Sequence, residues 1–187
     1  MKKVITIILI SLATAAQAQK KEALPPPPVL PIDSITNLIT YEEVIELKRL
    51  TADEIYKRVA DWFNTYFKNP TEVIREKNEE KKTIIGKPRF KIYNLPDKQG
   101  VKTDGGLIQY TITVTAREGR FKYELTAYNW KQTSYFACEK WYDTNLSTFN
   151  ANYYEYLKQL DTTTREIVTN LKNSITIDKP IKDKDNW

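Results

Sequence analysis

From Ile108 to Arg117 the residues alternate without a break, with Ile108, Tyr110, Ile112, Val114 and Ala116 on one parity and Gln109, Thr111, Thr113, Thr115 and Arg117 on the other. A period of two sustained over that length describes a strand with one face toward a core and one toward water. Glu118-Gly119 supplies a turn, and Phe121, Tyr123, Leu125 and Ala127 repeat the pattern over Arg120–Trp130, so Leu107–Arg117 and Arg120–Trp130 form a hairpin. A two-stranded ribbon with one apolar face is not stable by itself. The rest of the chain must extend it and cover that face.

Two helices are positioned to do so. Thr51-Ala-Asp-Glu54 is a capping box, and behind it Ile55, Val59, Trp62, Phe63 and Tyr66 recur at helical spacing, with Pro70 just beyond. Near the end of the chain Tyr153, Leu157, Leu160, Thr164, Ile167, Leu171 and Ile175 mark a second helix over about Asn150–Ser174. Further strands are expected at Thr40–Leu47, Glu72–Asn78 and Thr83–Asn94. In the last, Ile84, Phe90 and Ile92 share a face, Lys87, Arg89 and Lys91 take the other, and Pro88 favours an edge or a bulge. The order β-α-β-β-β-β-α implies an α+β two-layer domain, an antiparallel sheet with both helices on one face. The last helix has spacing that would also suit a coiled-coil seam, but the sheet needs that stripe, so a monomer is favoured over a dimer.

The ends read differently. Lys2-Lys3, an apolar run from Val4 to Ala13 and Ala16-Gln17-Ala18 form a signal peptide cut between Ala18 and Gln19, which predicts export to the periplasm or medium. The run is too short for the ~20 residues of a membrane span. Residues 19–36 contain LPPPPVLP and are expected to be a Pro-rich tether, 37–177 the folded domain, and 178–187 a flexible tail.

Composition excludes more chemistry than it suggests. Histidine is absent, which removes imidazole acid–base catalysis and His-ligated zinc. Cys138 is the single cysteine, so an intramolecular disulfide is impossible, and a buried structural role suits it better than a reactive one. A net charge of +5, from 29 basic and 24 acidic residues largely interspersed, is too mild and diffuse to predict a polyanion partner. Glu42-Glu43 and Glu79-Glu80 are neighbours in a strand and a turn, which does not converge carboxylates on a metal. No cofactor, metal or catalytic residue is expected.

The stretch Leu50–Phe63, followed by Val73-Ile74, Ile85-Gly86-Lys87, Phe90, Tyr110–Val114 and Gly119–Tyr123, resembles a secreted Bacteroidetes domain-of-unknown-function family described as having a TBP-like fold. The likeness runs from about Tyr41 to Ile175. It implies the β-α-β4-α order already read from periodicity and an exported protein, and it brings no activity, cofactor or site residue.

Two surfaces are candidates for recognition. The helix-free sheet face would carry Lys87, Arg89, Lys91, Thr111, Thr113, Thr115, Lys122, Tyr128 and Trp130, a basic and aromatic array able to meet a sugar or an acidic ligand. So sparse a basic field does not predict a nucleic-acid partner. Trp130, Tyr135, Phe136, Trp141, Tyr142 and Phe149 crowd the segment before the last helix, either as a recognition surface or as filling for the open end of the core. The function expected is a non-enzymatic envelope module binding a protein partner or ligand through the aromatic segment and the open sheet face. The alternative is a carrier holding a small apolar molecule between the long helix and the sheet.

Overall fold

A computed structural model of the protein describes residues 25–132 and 134–177. The expected signal peptide and its cleavage point, and the tail 178–187, lie outside these residues. The elements are β1 (Tyr41–Glu46), α1 (Ala52–Tyr66), α2 (Pro70–Val73), β2 (Ile74–Asn78), β3 (Thr83–Gly86), β4 (Arg89–Tyr93), β5 (Asp104–Arg117), β6 (Arg120–Lys131), β7 (Tyr135–Ala137) and α3 (Asn152–Thr176), with a 3-10 helix at Cys138–Tyr142 before α3.

The strands form one antiparallel sheet, ordered β1-β6-β5-β3-β2, with β4 also on β5 and β7 also on β6. β3 and β4 occupy the same lane, because Gly86 faces Ile112 and Arg89 faces Gln109 without any change of register. The single strand expected over Thr83–Asn94 is therefore interrupted only at Lys87-Pro88. There proline has no donor, and the Lys87 amide turns aside to the Val73 carbonyl at 2.8 Å. The strand expected from Glu72 begins two residues later, since Pro70 opens the short helix α2. The aromatic-rich segment before the last helix holds β7 and the 3-10 helix.

The capping box forms: Glu54 N–H donates to Thr51 Oγ1 at 3.2 Å and Thr51 N–H to Glu54 Oε2 at 2.8 Å. α1 buries Ile55, Val59, Trp62 and Phe63. All seven stripe residues of α3 are buried, and Trp62 Nε1 donates to Asn170 Oδ1 at 2.8 Å between the helices. Ile108, Tyr110, Ile112, Val114 and Ala116 meet them from β5. Among the described residues the other sheet face carries no helix.

The tether is folded in its described part. Leu30 is only 5% exposed and belongs to the core, and Tyr142 Oη donates to the Pro28 carbonyl at 2.9 Å. Ile39, fully buried, donates its amide to Glu139 Oε1 at 2.9 Å. Packing thus begins inside the segment expected to be a spacer. A strand-like turn from Pro31 to Thr40, closed by the Ile32–Ile39 bridge, leads from it into β1.

Candidate binding face

The placement of the aromatic residues is decided by one residue. Gln109 of β5 faces Asn129 of β6, whereas Thr111 faces Thr126, so β6 has one residue more than β5 in that interval. Ala127 takes up the surplus as a bulge, with φ of 55°. A bulge exchanges the faces of everything beyond it. Phe121, Tyr123 and Leu125 face the helices before it, and Tyr128 and Trp130 face them after it.

Tyr128 is consequently not on the open face, as alternation alone predicts, but fully buried. Its ring stacks on Tyr110 with centroids 5.5 Å apart, and its hydroxyl pairs with Thr164 of α3 at 3.1 Å. Trp130 also turns inward, donating Nε1–H to the Gly105 carbonyl at 2.8 Å and meeting Trp141, Tyr153 and Tyr156 edge-on or tilted. Trp141 is fully buried, and Tyr142 is half-buried against the tether. Of the seven aromatic candidates only Tyr135, 59% exposed, projects into solvent; Phe136 and Phe149 are partly buried against the core. The aromatic segment closes the open end of the core, and the structure does not present it as a surface.

Lys87, Arg89 and Lys91 are exposed on the open face, as alternation predicts. Arg89 lies beside Gln109 and Lys91 beside Leu107, and Lys91 pairs with Asp104 at 2.8 Å. That partner, through its hydrogen bond and its charge, raises the Lys91 pKa. Across the face run Thr111, Thr113 and Thr115, with Thr83 and Thr115 sharing a hydroxyl contact at 3.0 Å and Thr40 and Thr126 another at 2.9 Å. Lys122 pairs with Glu42 at 2.6 Å. At the Lys91 end an open concavity of about 750 Å³ is lined by Lys91, Asp104, Gly105, Gly106, Leu107, Lys131 and Gln132. Asn129 and Lys131 escaped the sequence reading, because their side of β6 depends on the Ala127 bulge, and Gln132 follows just past the strand's end.

Three buried titratable groups, Cys138, Tyr128 and Tyr41, all have raised pKa values. Burial pushes the Cys138 thiol up, away from the reactive thiolate. Tyr128 is raised by burial, and Tyr41 by burial and by its hydrogen bond to Asp161, so both phenols stay protonated. Among the described residues no three His, Cys, Asp or Glu side chains gather as a metal site. The interval between α3 and the sheet is filled by Tyr110, Tyr128, Leu157 and Leu160, all essentially inaccessible, which leaves the expected apolar cargo cavity without support. No helix among the described residues is long and apolar enough to cross a membrane.

Residues 41–131, from β1 to the end of β6, match the family model described as a domain of unknown function (DUF4468) with TBP-like fold. The chain resembles that family, and its fold is TBP-like. A crystal structure of a DUF4468 family protein from Bacteroides ovatus superposes with a TM-score of 0.63 at 15% identity, covering 80% of this chain and 94% of that one. A TBP-like protein from Parabacteroides distasonis aligns at 15% identity with a TM-score of 0.46, covering 73% and 94%. No curated protein matches the sequence. The DUF4468 model stops before α3, the helix whose stripe covers the sheet.

Proposed function

We propose that this chain is an exported, non-enzymatic binding module whose working surface is the helix-free face of the sheet, and that it recognises a polar, acidic partner there. The observation carrying this reading is the division of labour imposed by the Ala127 bulge: the large aromatics go inward, and the open face keeps hydroxyls, amides and the Lys87–Arg89–Lys91 row, with its acids at the margins in the Lys91–Asp104 and Lys122–Glu42 pairs. Such a face offers hydrogen bonds and cations over a rigid, pre-formed plane. This suits an acidic glycan or an acidic protein surface better than an apolar ligand. The raised pKa values of the buried phenols and thiol support a role without catalysis.

A photo-crosslinker at position 113, in the middle of the open face, tests the proposal in cells. A discrete adduct that disappears when Lys87, Arg89 and Lys91 are together changed to Ser is the expected result. An adduct unaffected by that triple change would show the basic row to be only a solvated face. Adducts obtained solely from position 135 would return the weight to the aromatic segment.

A further inference from the structure

β1 is the last strand of its sheet, and between Tyr41 and Glu46 its outer edge meets no strand among the described residues. The chain itself begins to fill that lane and then abandons it. Ile32 pairs with Ile39 and the Thr40 amide donates to the Pro31 carbonyl at 3.0 Å. One residue earlier Leu30 dives into the core, and Pro25–Pro28 behind it have no amides with which to continue a ladder. The departure leaves a notch of about 540 Å³ lined by residues that include Val29, Pro31, Tyr41, Glu42 and Arg165. A second concavity of about 290 Å³ continues it beside Glu43, Tyr123 and Lys172, under α3.

We infer that the β1 edge is a docking site for an extended segment of a partner protein, which adds to the sheet as a strand and has a basic-x-aliphatic-x-basic pattern. The pattern follows from the side chains of β1. On the open-face parity stand Glu42, Val44 and Glu46, with Val44 50% exposed, so a strand laid alongside places alternate residues against an acid, an aliphatic and an acid. On the other parity Glu43 is held by Lys172 at 2.7 Å and by Tyr123 at 2.8 Å, which leaves that side walled and polar. The same charges oppose a second copy of this chain in the register centred on Val44, where antiparallel self-pairing sets Glu42 against Glu46 twice. Main-chain hydrogen bonds supply attachment in this mode and the alternating side chains supply selection. The site is the sheet edge, so it stands or falls separately from the open-face reading.

The test uses the full chain with two capped peptides, Ser-Lys-Thr-Val-Thr-Lys-Ser and its counterpart with Glu for Lys, followed by hydrogen exchange of the β1 amides. The lysine peptide is expected to bind and to slow exchange of the outward-pointing amides of Tyr41–Glu46, whereas the glutamate peptide does neither. Glu42→Lys with Glu46→Lys is expected to weaken the lysine peptide by about tenfold or more and to favour the glutamate peptide. Glu46→Lys alone, which leaves the Glu42–Lys122 pair intact, repeats the direction if the double variant is unfolded. The inference is overturned by absence of lysine-peptide binding up to about 1 mM, by equal protection with both peptides, or by binding without β1 protection. It is also overturned if the β1 amides are already protected in the chain alone, which would mean that the chain or a second copy covers the edge.

Discussion

Trp141→Ala discriminates most sharply between an aromatic segment that holds the domain together and one that waits for a partner. The indole is fully buried between Trp130, Tyr153 and Tyr156, with centroids 5.7, 5.8 and 5.3 Å away. A tryptophan contributes some 150–250 Å² of buried surface. Truncating a buried one costs about 3–5 kcal/mol, transfer and residual cavity together. Its Nε1–H has no partner among the described residues, and deleting an unsatisfied buried donor returns part of that cost. The expectation is therefore about 3 kcal/mol, which in a domain of this size lowers Tm by roughly 6–12 °C. Trp141→Phe keeps a ring, removes the orphan donor and should lose less than half as much. Tyr135→Ala, on the exposed member of the segment, should stay within about 0.5 kcal/mol. Urea unfolding followed by far-UV circular dichroism measures all three. If Trp141→Ala costs under about 1 kcal/mol, or Tyr135→Ala costs as much as Trp141→Ala, the assignment of this segment to the core is wrong.

Gly86→Ala is expected to destabilise by about 1–3 kcal/mol, since a Cβ there would meet Phe63 Cε1 at 2.9 Å, Ile112 Cγ2 at 3.2 Å and Val73 Cγ1 at 3.3 Å; thermal melts against the parent check it. Cys138 should resist Ellman's reagent in the native state and react once the protein is unfolded in urea, because the thiol is buried and its pKa raised; fast native labelling would contradict its burial. Glu43 has its pKa lowered by the Lys172 hydrogen bond first and by Tyr123 second. A carboxyl held below its unfolded value of about 4.3 stabilises above that pH and stops doing so as pH falls through its folded value. The stability gap between the parent and Glu43→Gln should therefore be constant from about pH 5.5 to 8, where no histidine titrates, and close below about pH 4, as denaturation series across pH would show.

What was legible in the sequence was whatever has a local cause. The α1 start rests on Thr51 and Glu54, three residues apart, and the α3 stripe on side chains repeating every turn; both stand where periodicity places them. The β5–β6 hairpin follows from alternation around Glu118-Gly119. The Ala127 bulge had no such signature. Alanine is neither the glycine nor the asparagine that a positive φ favours, and it sits at the parity of Phe121, Tyr123 and Leu125, so the alternation reads straight through it. The available hint was indirect: Tyr128 and Trp130, two large aromatics in succession at the solvent parity, are better placed if the strand slips by one. Leu30 was hidden for another reason. One leucine among prolines looks the same in a spacer and in a docked strap, and only the tertiary partners distinguish them.

That bulge also limits what the open face can recognise. Had β6 run regularly, Tyr128 and Trp130 would lie beside Gln109 and Leu107, forming an aromatic platform on which sugar rings or apolar side chains could stack. With the slip, those rings meet Tyr110, Trp141 and α3, and the face retains threonine hydroxyls, amides and charged side chains, among them the Lys91–Asp104 and Lys122–Glu42 pairs. Binding there must come from hydrogen bonds and charge over a broad, rigid plane. Such contacts are individually weak in water and are selective mainly when several are satisfied together. The same residue that stabilises the core by sending two aromatics into it thus denies the sheet a stacking site, and it makes geometric matching to an array of polar groups the basis of recognition on that face.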